Sequence, residues 1–183
     1  MEAPRGVGMG ACGHGLPVRI VVQRVRSASV VVDGEVVGAI GRGLVVLVGV
    51  GAGDGPGESD WLAAKVARLR VFPDGDGRMN RSLLEVGGEA LVVSQFTLLA
   101  RVSSGTRPSY SDAALPDTAR ALYERFGEQL AAAGVGVQYG RFGAAMELSL
   151  HNDGPVTLVV DRAPQEQPGP SAGTGSSVPA AGG

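Results

Sequence analysis

The feature that most constrains the fold is a series of β-branched residues interrupted by one Asp-Gly pair. Residues 18–25 (VRIVVQRV) and 28–32 (ASVVV) have the composition of two β-strands. Asp33-Gly34 follows, and a valine-rich segment resumes directly after it. A two-residue type I′ turn favours Asp-Gly because both of its central residues need positive φ. The sequence therefore predicts an antiparallel hairpin, and the fold of this chain has to be built around a sheet.

Further strands are predicted from the pattern of apolar residues. Residues 43–50 (GLVVLVGV) form a continuous apolar run bounded by glycine, which is typical of a strand buried on both faces. Apolar and polar residues alternate from Met146 to His151, which indicates a strand with one buried face. Two more strands are predicted at 90–96 and 156–160, with residues 152–157 as a hairpin connection between the last two strands.

Two segments have helical spacing of apolar residues. The first is about 59–69, with Ser59 as its N-cap. The second is about 117–133, with Asp117 as its N-cap and Gly134 at its end. Mostly antiparallel strands with two helices separated in sequence predict an α+β fold.

Composition changes at both ends of the chain. Residues 1–17 and 163–183 hold five glycines each, and the second segment adds four prolines and only one large apolar residue. Such segments bury too little surface to offset the entropy of ordering them. We predict a flexible N-terminal extension at 1–17, one compact domain at 18–162 and a disordered tail at 163–183. The longest apolar run is far shorter than the ~20 residues that cross a bilayer, which predicts a cytoplasmic protein without membrane contact.

Few residues are available for metal, cofactor or nucleophilic chemistry. The chain has one cysteine, Cys12, and two histidines, His14 and His151, which excludes an intramolecular disulfide and a cysteine zinc cluster. No phosphate-binding, dinucleotide-binding or zinc-protease motif is present, so no cofactor and no metal are predicted. The net charge of −2 argues against a basic coat for duplex DNA, yet it is compatible with binding one end of an RNA.

Ser94-Gln95-Phe96-Thr97, at the end of a predicted strand, has two interpretations. The hydroxyls of Ser94 and Thr97 satisfy backbone groups at the strand end, or one of them is a nucleophile. A nucleophile needs a base within hydrogen-bond reach, and His151 is the only histidine of the predicted domain. The pattern favours the first interpretation and leaves a serine–histidine pair open.

Residues 152–157 (NDGPVT) also have two interpretations. Asn, Asp, Gly and Pro suit a turn. A cis Gly154-Pro155 bond would instead align neighbouring carbonyl oxygens to accept hydrogen bonds from a small ammonium group. Arg24 lies between apolar residues of the first predicted strand, which predicts a partly buried guanidinium with polar partners.

The order of these segments resembles the D-aminoacyl-tRNA deacylase family across residues 19–161. The specific signatures are SQFTL at 94–98 and NDGPVT at 152–157. The other matching segments are VVQRV at 21–25, ASV at 28–30, GRGL at 41–44, RVF at 70–72, MN at 79–80, RPSY at 107–110 and GRFGA at 140–144 with Met146.

The resemblance implies a compact, β-rich, barrel-like α+β domain that forms a homodimer. The implied activity is hydrolysis of the ester between a D-amino acid, or glycine on tRNA(Ala), and the 3′-terminal adenosine of tRNA. A cis Gly154-Pro155 motif would enter the partner's site, bind the α-amino group through its carbonyls and exclude L-amino acids. Asn152 would belong to the same substrate-binding loop, and Arg24 would help to hold it.

The resemblance also implies a catalytic pocket lined by Ser94, Gln95, Phe96 and Thr97. Their backbone amides would hold the adenosine and the developing oxyanion, and the terminal ribose 2′-hydroxyl would assist attack by water. Phe142 and Met146 would flank the adenosine, and they complete the predicted substrate-binding set.

Three other functions stay open at this point. A relative with a trans Gly-Pro bond would act on L-alanyl-tRNA, a non-catalytic module would bind the tRNA end without turnover, and a serine or threonine hydrolase would cleave small esters. The chain departs from the resemblance at 101–105, where a basic residue is missing, and at His151, where the family carries an aliphatic residue.

Overall fold

The computed structural model describes residues 16–103 and 105–163. Apart from residues 16, 17 and 163, the predicted extensions lie outside the described residues, as do Cys12 and His14. The strands are β1 (Val18–Val32), β2 (Glu35–Ile40), β3 (Gly43–Gly49), β4 (Phe72–Pro73), β5 (Met79–Arg81), β6 (Glu89–Ser94), β7 (Gly136–Tyr139) and β8 (Glu147–Arg162). The helices are α1 (Pro56–Arg68), a 3₁₀ helix (Phe96–Leu99) and α2 (Pro116–Ala132).

The main sheet is mixed and strongly curved. Its order is β2-β1-β3-β6-β7, and β8 pairs with β1. The pairs that β1 makes with β2, β3 and β8 are antiparallel, whereas β3–β6 and β6–β7 are parallel. Gly38 of β2 lies so close to β7 that a Cβ would be 2.5 Å from the Tyr139 carbonyl oxygen. This approach of distant strands gives the barrel-like form, and the predicted β-rich α+β fold with two helices is confirmed.

The predicted hairpin is present between β1 and β2. Asp33 and Gly34 have φ values of 52° and 81°, as a type I′ turn requires. The two predicted strands before this turn are wrong in one respect, because residues 18–32 form the single strand β1. Its first half pairs with β3 and its second half with β2, while β8 pairs with both halves. β2 and β3 therefore follow one another along the same edge of β1, and β8 lies along the other edge.

The predicted hairpin connection at 152–157 is wrong, because β8 continues through it. Asn152 pairs with Val25 and Thr157 pairs with Gln23, so residues 153–156 bulge out of β8 opposite Arg24. A bulge leaves its extra residues outside the ladder and bends the strand. The segment therefore projects from the middle of a long strand pair that holds both of its ends.

Both helices begin before the predicted caps. α1 begins at Pro56 with Gly55 at the N-cap, whose amide donates to the Glu58 carboxylate at 2.9 Å. Proline suits the first helical position because its fixed φ is already helical. Ser59 is buried inside α1 and its hydroxyl donates to the Leu122 carbonyl at 3.1 Å, so it is not a cap.

α2 and β6 also differ from their predicted limits. α2 begins at Pro116 after Leu115, which leaves Asp117 in the first turn and not at the N-cap. The predicted end at Gly134 is confirmed, since this glycine has φ 96° and follows the last helical residues. β6 ends at Ser94, whereas Phe96 belongs to the 3₁₀ helix.

The two faces of the sheet pack against different partners. Alternate residues of β3 belong to different clusters: Leu44, Val46 and Val48 join the core under α1 and α2, and Val45 joins the core on the other face. The first half of β8 covers that other face with Leu148 and Leu150. Within the part of the chain that the structure describes, neither helix is long and apolar enough to span a membrane.

Candidate active site

A cavity of about 540 Å³ opens where β6 ends. A volume of this size suits a ligand as large as a nucleoside carrying an amino acid. Its lining comes from β3, the end of β6, residues 113–123 and residues 142–148. The predicted site residues in this lining are Ser94, Gln95, Phe96, Phe142 and Met146.

The turn after β6 begins at the cavity, where Gln95 and Phe96 belong to the lining. The amide of Gln95 donates to the Val48 carbonyl at 2.7 Å, so it belongs to the sheet. Phe96 and Thr97 come next, and the first amides of a helix have no intrahelical acceptor. Among the described residues, these two amides have no backbone partner. They are therefore the N–H groups of this turn that can bind a ligand oxygen.

The hydroxyl of Thr97 is engaged with a neighbour. It accepts a hydrogen bond from the Gln95 side-chain amide at 2.5 Å, and Thr97 is absent from the described lining of the cavity. A carboxamide cannot take up a proton as a general base does. The geometry gives Thr97 a structural contact, while Ser94 lines the cavity.

His151 lies in another part of the sheet. It pairs with Ser27 across β1 and β8, and its Nδ1 is 3.4 Å from the Ser27 hydroxyl. The serine–histidine pair that the sequence left open is not formed with Ser94. Within the described residues, the cavity lining has no histidine, carboxylate, lysine or cysteine, and no cluster of metal-binding side chains occurs.

An aromatic group closes one side of the cavity. The Phe142 ring lies 5.8 Å from the Tyr123 ring and 5.0 Å from the Arg120 guanidinium, both on α2. The Tyr123 hydroxyl donates to the Val92 carbonyl at 2.9 Å, and burial raises the pKa of this hydroxyl well above its usual value. Tyr123 was not predicted from the sequence as a site residue, although its position four residues after Ala119 places it on the same helix face.

Phe96 stands at the rim of the cavity. Its side chain is 57% exposed and meets the Tyr110 ring edge-on at a centroid distance of 5.1 Å. The segment that carries Tyr110 is held in place by a hydrogen bond of 2.8 Å, which the Arg101 amide donates to the Ser109 carbonyl. Arg101 also pairs with the buried carboxylate of Asp112. An exposed aromatic pair therefore stands beside the amides of the 3₁₀ turn.

The other predicted residues gather around the bulge of β8. Arg24 is only 8% exposed, as the sequence predicted, and its Nε donates to the Asp153 carbonyl at 2.9 Å. Its Nη1 donates to the Val71 carbonyl, and Asp153 Oδ2 lies 3.1 Å from its Nε. Asn152 donates through Nδ2 to the Arg24 carbonyl at 3.0 Å. These contacts fix both the strand and the bulge at this point.

Gly154 and Pro155 are at the exposed tip of this bulge. The peptide bond between them is cis, and both residues are accessible to solvent. Neither they nor Arg24 and Asn152 belong to the described lining of the cavity. Within one chain, the structure therefore brings the predicted site residues together as two separate groups, the cavity and the loop at 152–155.

Comparison with known proteins assigns the class. Residues 21–161 match the sequence profile of the D-Tyr-tRNA(Tyr) deacylase family. The chain belongs to this family, and it is therefore a hydrolase. It is 56% identical over 151 residues to a D-aminoacyl-tRNA deacylase of Roseiflexus castenholzii, covering 82% of this chain and 96% of that protein. It is 58% identical over 144 residues to a D-aminoacyl-tRNA deacylase of Ruegeria pomeroyi, covering 79% of this chain and 99% of that protein.

Solved structures share the fold of this chain. The fold matches a c-Myc DNA unwinding element binding protein with a TM-score of 0.75 and 39% identity, over 80% of this chain and 99% of that chain. It also matches a probable eukaryotic D-amino acid tRNA deacylase with a TM-score of 0.70 at 20% identity, over 80% of this chain and all of that chain, which is a likeness of fold. The family and the enzyme class predicted from the sequence are confirmed.

Proposed function

We propose that this enzyme removes D-amino acids, and glycine from tRNA(Ala), from the 3′-terminal adenosine of tRNA. It does so as a cytoplasmic homodimer in which the loop at 152–155 of one subunit enters the cavity of the other. The proposal rests on one observation: within one chain, the predicted site residues form two separate groups, the cavity and the loop at 152–155. The cavity lining that the structure describes offers no carboxylate for an ammonium group, while a rigidly held loop with free carbonyls projects elsewhere on the same chain.

Recognition of the α-amino group falls to that loop. An ammonium group in an apolar cavity needs acceptors, because leaving a charge buried and unpaired costs far more than the roughly 2–7 kcal/mol of an unpaired neutral amide. The carbonyls of Gly154 and Pro155 supply them without any side chain at Gly154. A backbone site fixes the amino group and the ester in place, so the side chain of an L-amino acid points into the loop. A clash together with a lost hydrogen bond is enough for about 10⁴-fold discrimination.

The turn after β6 stabilises the reacting carbonyl. The amides of Phe96 and Thr97 stand at a helix start and bind the oxygen as negative charge develops on it. Removal of one such donor costs about 10²–10³-fold in rate in other hydrolases. Phe142 and Met146 hold the adenosine from the opposite wall.

The group that accepts the proton of the attacking water comes from the RNA and not from the protein. Water attacks the ester carbonyl while the terminal ribose 2′-hydroxyl relays its proton, and the 3′-oxygen leaves with a proton as the free ribose hydroxyl. The cavity supports this route, since its described lining has no side chain that titrates near neutral pH. Substrates are tRNA ends; neither DNA nor a membrane takes part.

The test compares D-tyrosyl-tRNA with L-tyrosyl-tRNA, using the full chain. Release of D-tyrosine with the L-ester spared supports the proposal, whereas tRNA binding without release of either amino acid would make the chain a binding module. Thr97→Ala keeps its backbone amide and is expected to retain most activity. A loss of several orders of magnitude with folding intact would restore the threonine nucleophile. A tRNA ending in 2′-deoxyadenosine should be cleaved far more slowly.

Subunit mixing tests the shared site. Gly154→Phe spoils the loop and Ala114→Trp fills the cavity, so each homodimer should be inactive. In a 1:1 co-expressed mixture, half of the dimers are mixed and each has one intact cavity facing one intact loop, which predicts about one quarter of wild-type activity. No recovery in demonstrably mixed dimers would mean that loop and cavity do not meet across an interface.

A further inference from the structure

Arg120 is a cation beside the cavity that the proposed chemistry does not use. It lies on α2 directly after Ala119, which lines the cavity, and its side chain is exposed. Its guanidinium is 5.0 Å from the centroid of the Phe142 ring. A guanidinium over an aromatic face is held by the ring quadrupole and keeps its donors free at its edge.

The charge of Arg120 has no counter-ion in the described part of the chain. Asp117 and Glu124 are three and four residues away on the same helix, where ion pairs commonly form. Neither pairs with Arg120, and no other described carboxylate does. By contrast, Arg141 beside the same aromatic wall lies 3.8 Å from the Asp33 carboxylate.

The described lining of the cavity has no cationic side chain that could pair with a phosphate. It is apolar except for Ser94, Gln95 and the Tyr123 hydroxyl. A terminal adenosine bound between Phe142 and Met146 carries a 5′-phosphate that links it to the rest of the RNA. Because the RNA chain has to leave through the mouth, we expect this phosphate at the rim of the cavity. Arg120 lies beside Phe142 on one side of that cavity.

We propose that Arg120 binds the phosphate of the terminal nucleotide and thereby positions the RNA end against Phe142. This inference rests on the proposed function, and it adds a phosphate contact to a site that otherwise recognises adenosine and amino acid. Arg120 is a positioning residue here, because it does not touch the ester. Its contribution belongs to substrate binding and leaves the chemical step unchanged.

The test uses two substrates that differ in the phosphate. D-tyrosyl-tRNA carries it, and 3′-O-D-tyrosyl-adenosine does not. Arg120→Met keeps the length and packing of the side chain, and Arg120→Lys keeps the charge. Arg78→Met is the matched control, since Arg78 is 82% exposed and lies in the turn between β4 and β5.

Arg120→Met should raise KM for D-tyrosyl-tRNA about tenfold, as expected for one charge-assisted hydrogen bond at an exposed rim. Its kcat should be unchanged, and its kcat/KM for D-tyrosyl-adenosine should stay within about twofold of wild type. The salt dependence of kcat/KM for the tRNA should be less steep by about 0.7 in a log–log plot. Arg120→Lys should recover part of the loss, and Arg78→Met should match wild type.

Two results would overturn the inference. Equal losses on both substrates would mean that Arg120 only supports the Phe142 ring, and no loss on the tRNA would mean that it makes no contact. If the wild-type chain hydrolysed neither substrate, the proposed function would fail by itself. The phosphate contact would then be tested by comparing the affinities of the protein for 5′-AMP and for adenosine. A preference for 5′-AMP that Arg120→Met abolishes supports the contact. Equal affinities in the wild-type protein refute it.

Discussion

Replacing Gly154 by alanine tests how the exposed loop is held. A Cβ at Gly154 would lie 2.3 Å from Asn152 Oδ1 and 3.3 Å from its Cγ. The Asn152 side chain therefore has to turn away. It then loses its 3.0 Å hydrogen bond to the Arg24 carbonyl and its 3.5 Å contact with the Val156 carbonyl.

The size of the effect follows from these contacts. Losing the Asn152 hydrogen bonds costs about 1–2 kcal/mol. Replacing glycine by alanine at a position whose φ alanine tolerates stabilises the folded state by about 0.4–1 kcal/mol, because it lowers the conformational entropy of the unfolded chain. Gly154→Ala should thus lower the free energy of unfolding by up to about 1.6 kcal/mol. In an Asn152→Ala background the clash is gone, so the same substitution should be neutral or stabilising by about 0.4–1 kcal/mol.

The assay is urea unfolding of wild type, both single variants and the double variant at one fixed protein concentration, because dimerisation makes stability concentration-dependent. The coupling between the two positions should be about 1–2 kcal/mol, which a double-mutant cycle resolves. Gly75→Ala is the control, since a Cβ there meets nothing within 4 Å. Equal effects of Gly154→Ala in both backgrounds would refute the reasoning.

Two further predictions concern stability. Gly127→Ala on α2 would place a Cβ 2.3 Å from the Tyr139 hydroxyl, so a loss of about 1–3 kcal/mol is expected in thermal or urea unfolding. Gly57→Ala on α1 has open space and should stabilise by up to about 1 kcal/mol; equal behaviour of the two variants would contradict the packing argument. Burial raises the pKa of Asp54 from 3.8 to about 6, so the folded state binds this proton more tightly than the unfolded state does. The stability from this group is present below about pH 4 and lost as pH rises through about 6. Since Asp54 is only partly buried, solvent screening reduces this loss to about 1–2 kcal/mol, and the difference from Asp54→Asn should change over that range. Parallel pH profiles of Asp54→Asn and wild type would contradict it.

Local patterns were enough to predict much of the framework. The Asp33-Gly34 turn could be predicted because its conformation depends on two residues alone. The buried strand β3 follows from a continuous apolar run, and the end of α2 follows from Gly134, which adopts positive φ without a Cβ penalty. Matching segments across residues 19–161, with the specific signatures at 94–98 and 152–157, predicted the family that the profile match then assigned.

The errors arose where a distant segment decides the local structure. Residues 152–157 have turn-forming composition, yet pairing with β1, some 130 residues earlier in the chain, holds them inside the long strand β8. Ser59 has the chemistry of an N-cap, but contact with α2 buries it within α1. In both cases the tertiary contact overrides a local preference worth only about 1 kcal/mol.

The sequence by itself determined the β-rich α+β class, the Asp33-Gly34 turn, the residue types of the site and, through its signatures, the family. Only the tertiary structure decided how these residues are distributed in space. It joins Ser94 and Phe142 in one cavity, keeps Arg24 and Gly154 away from it, and puts His151 opposite Ser27. The reason is physical: strand pairing and helix packing join residues that are far apart in the chain, and no local spacing encodes those contacts.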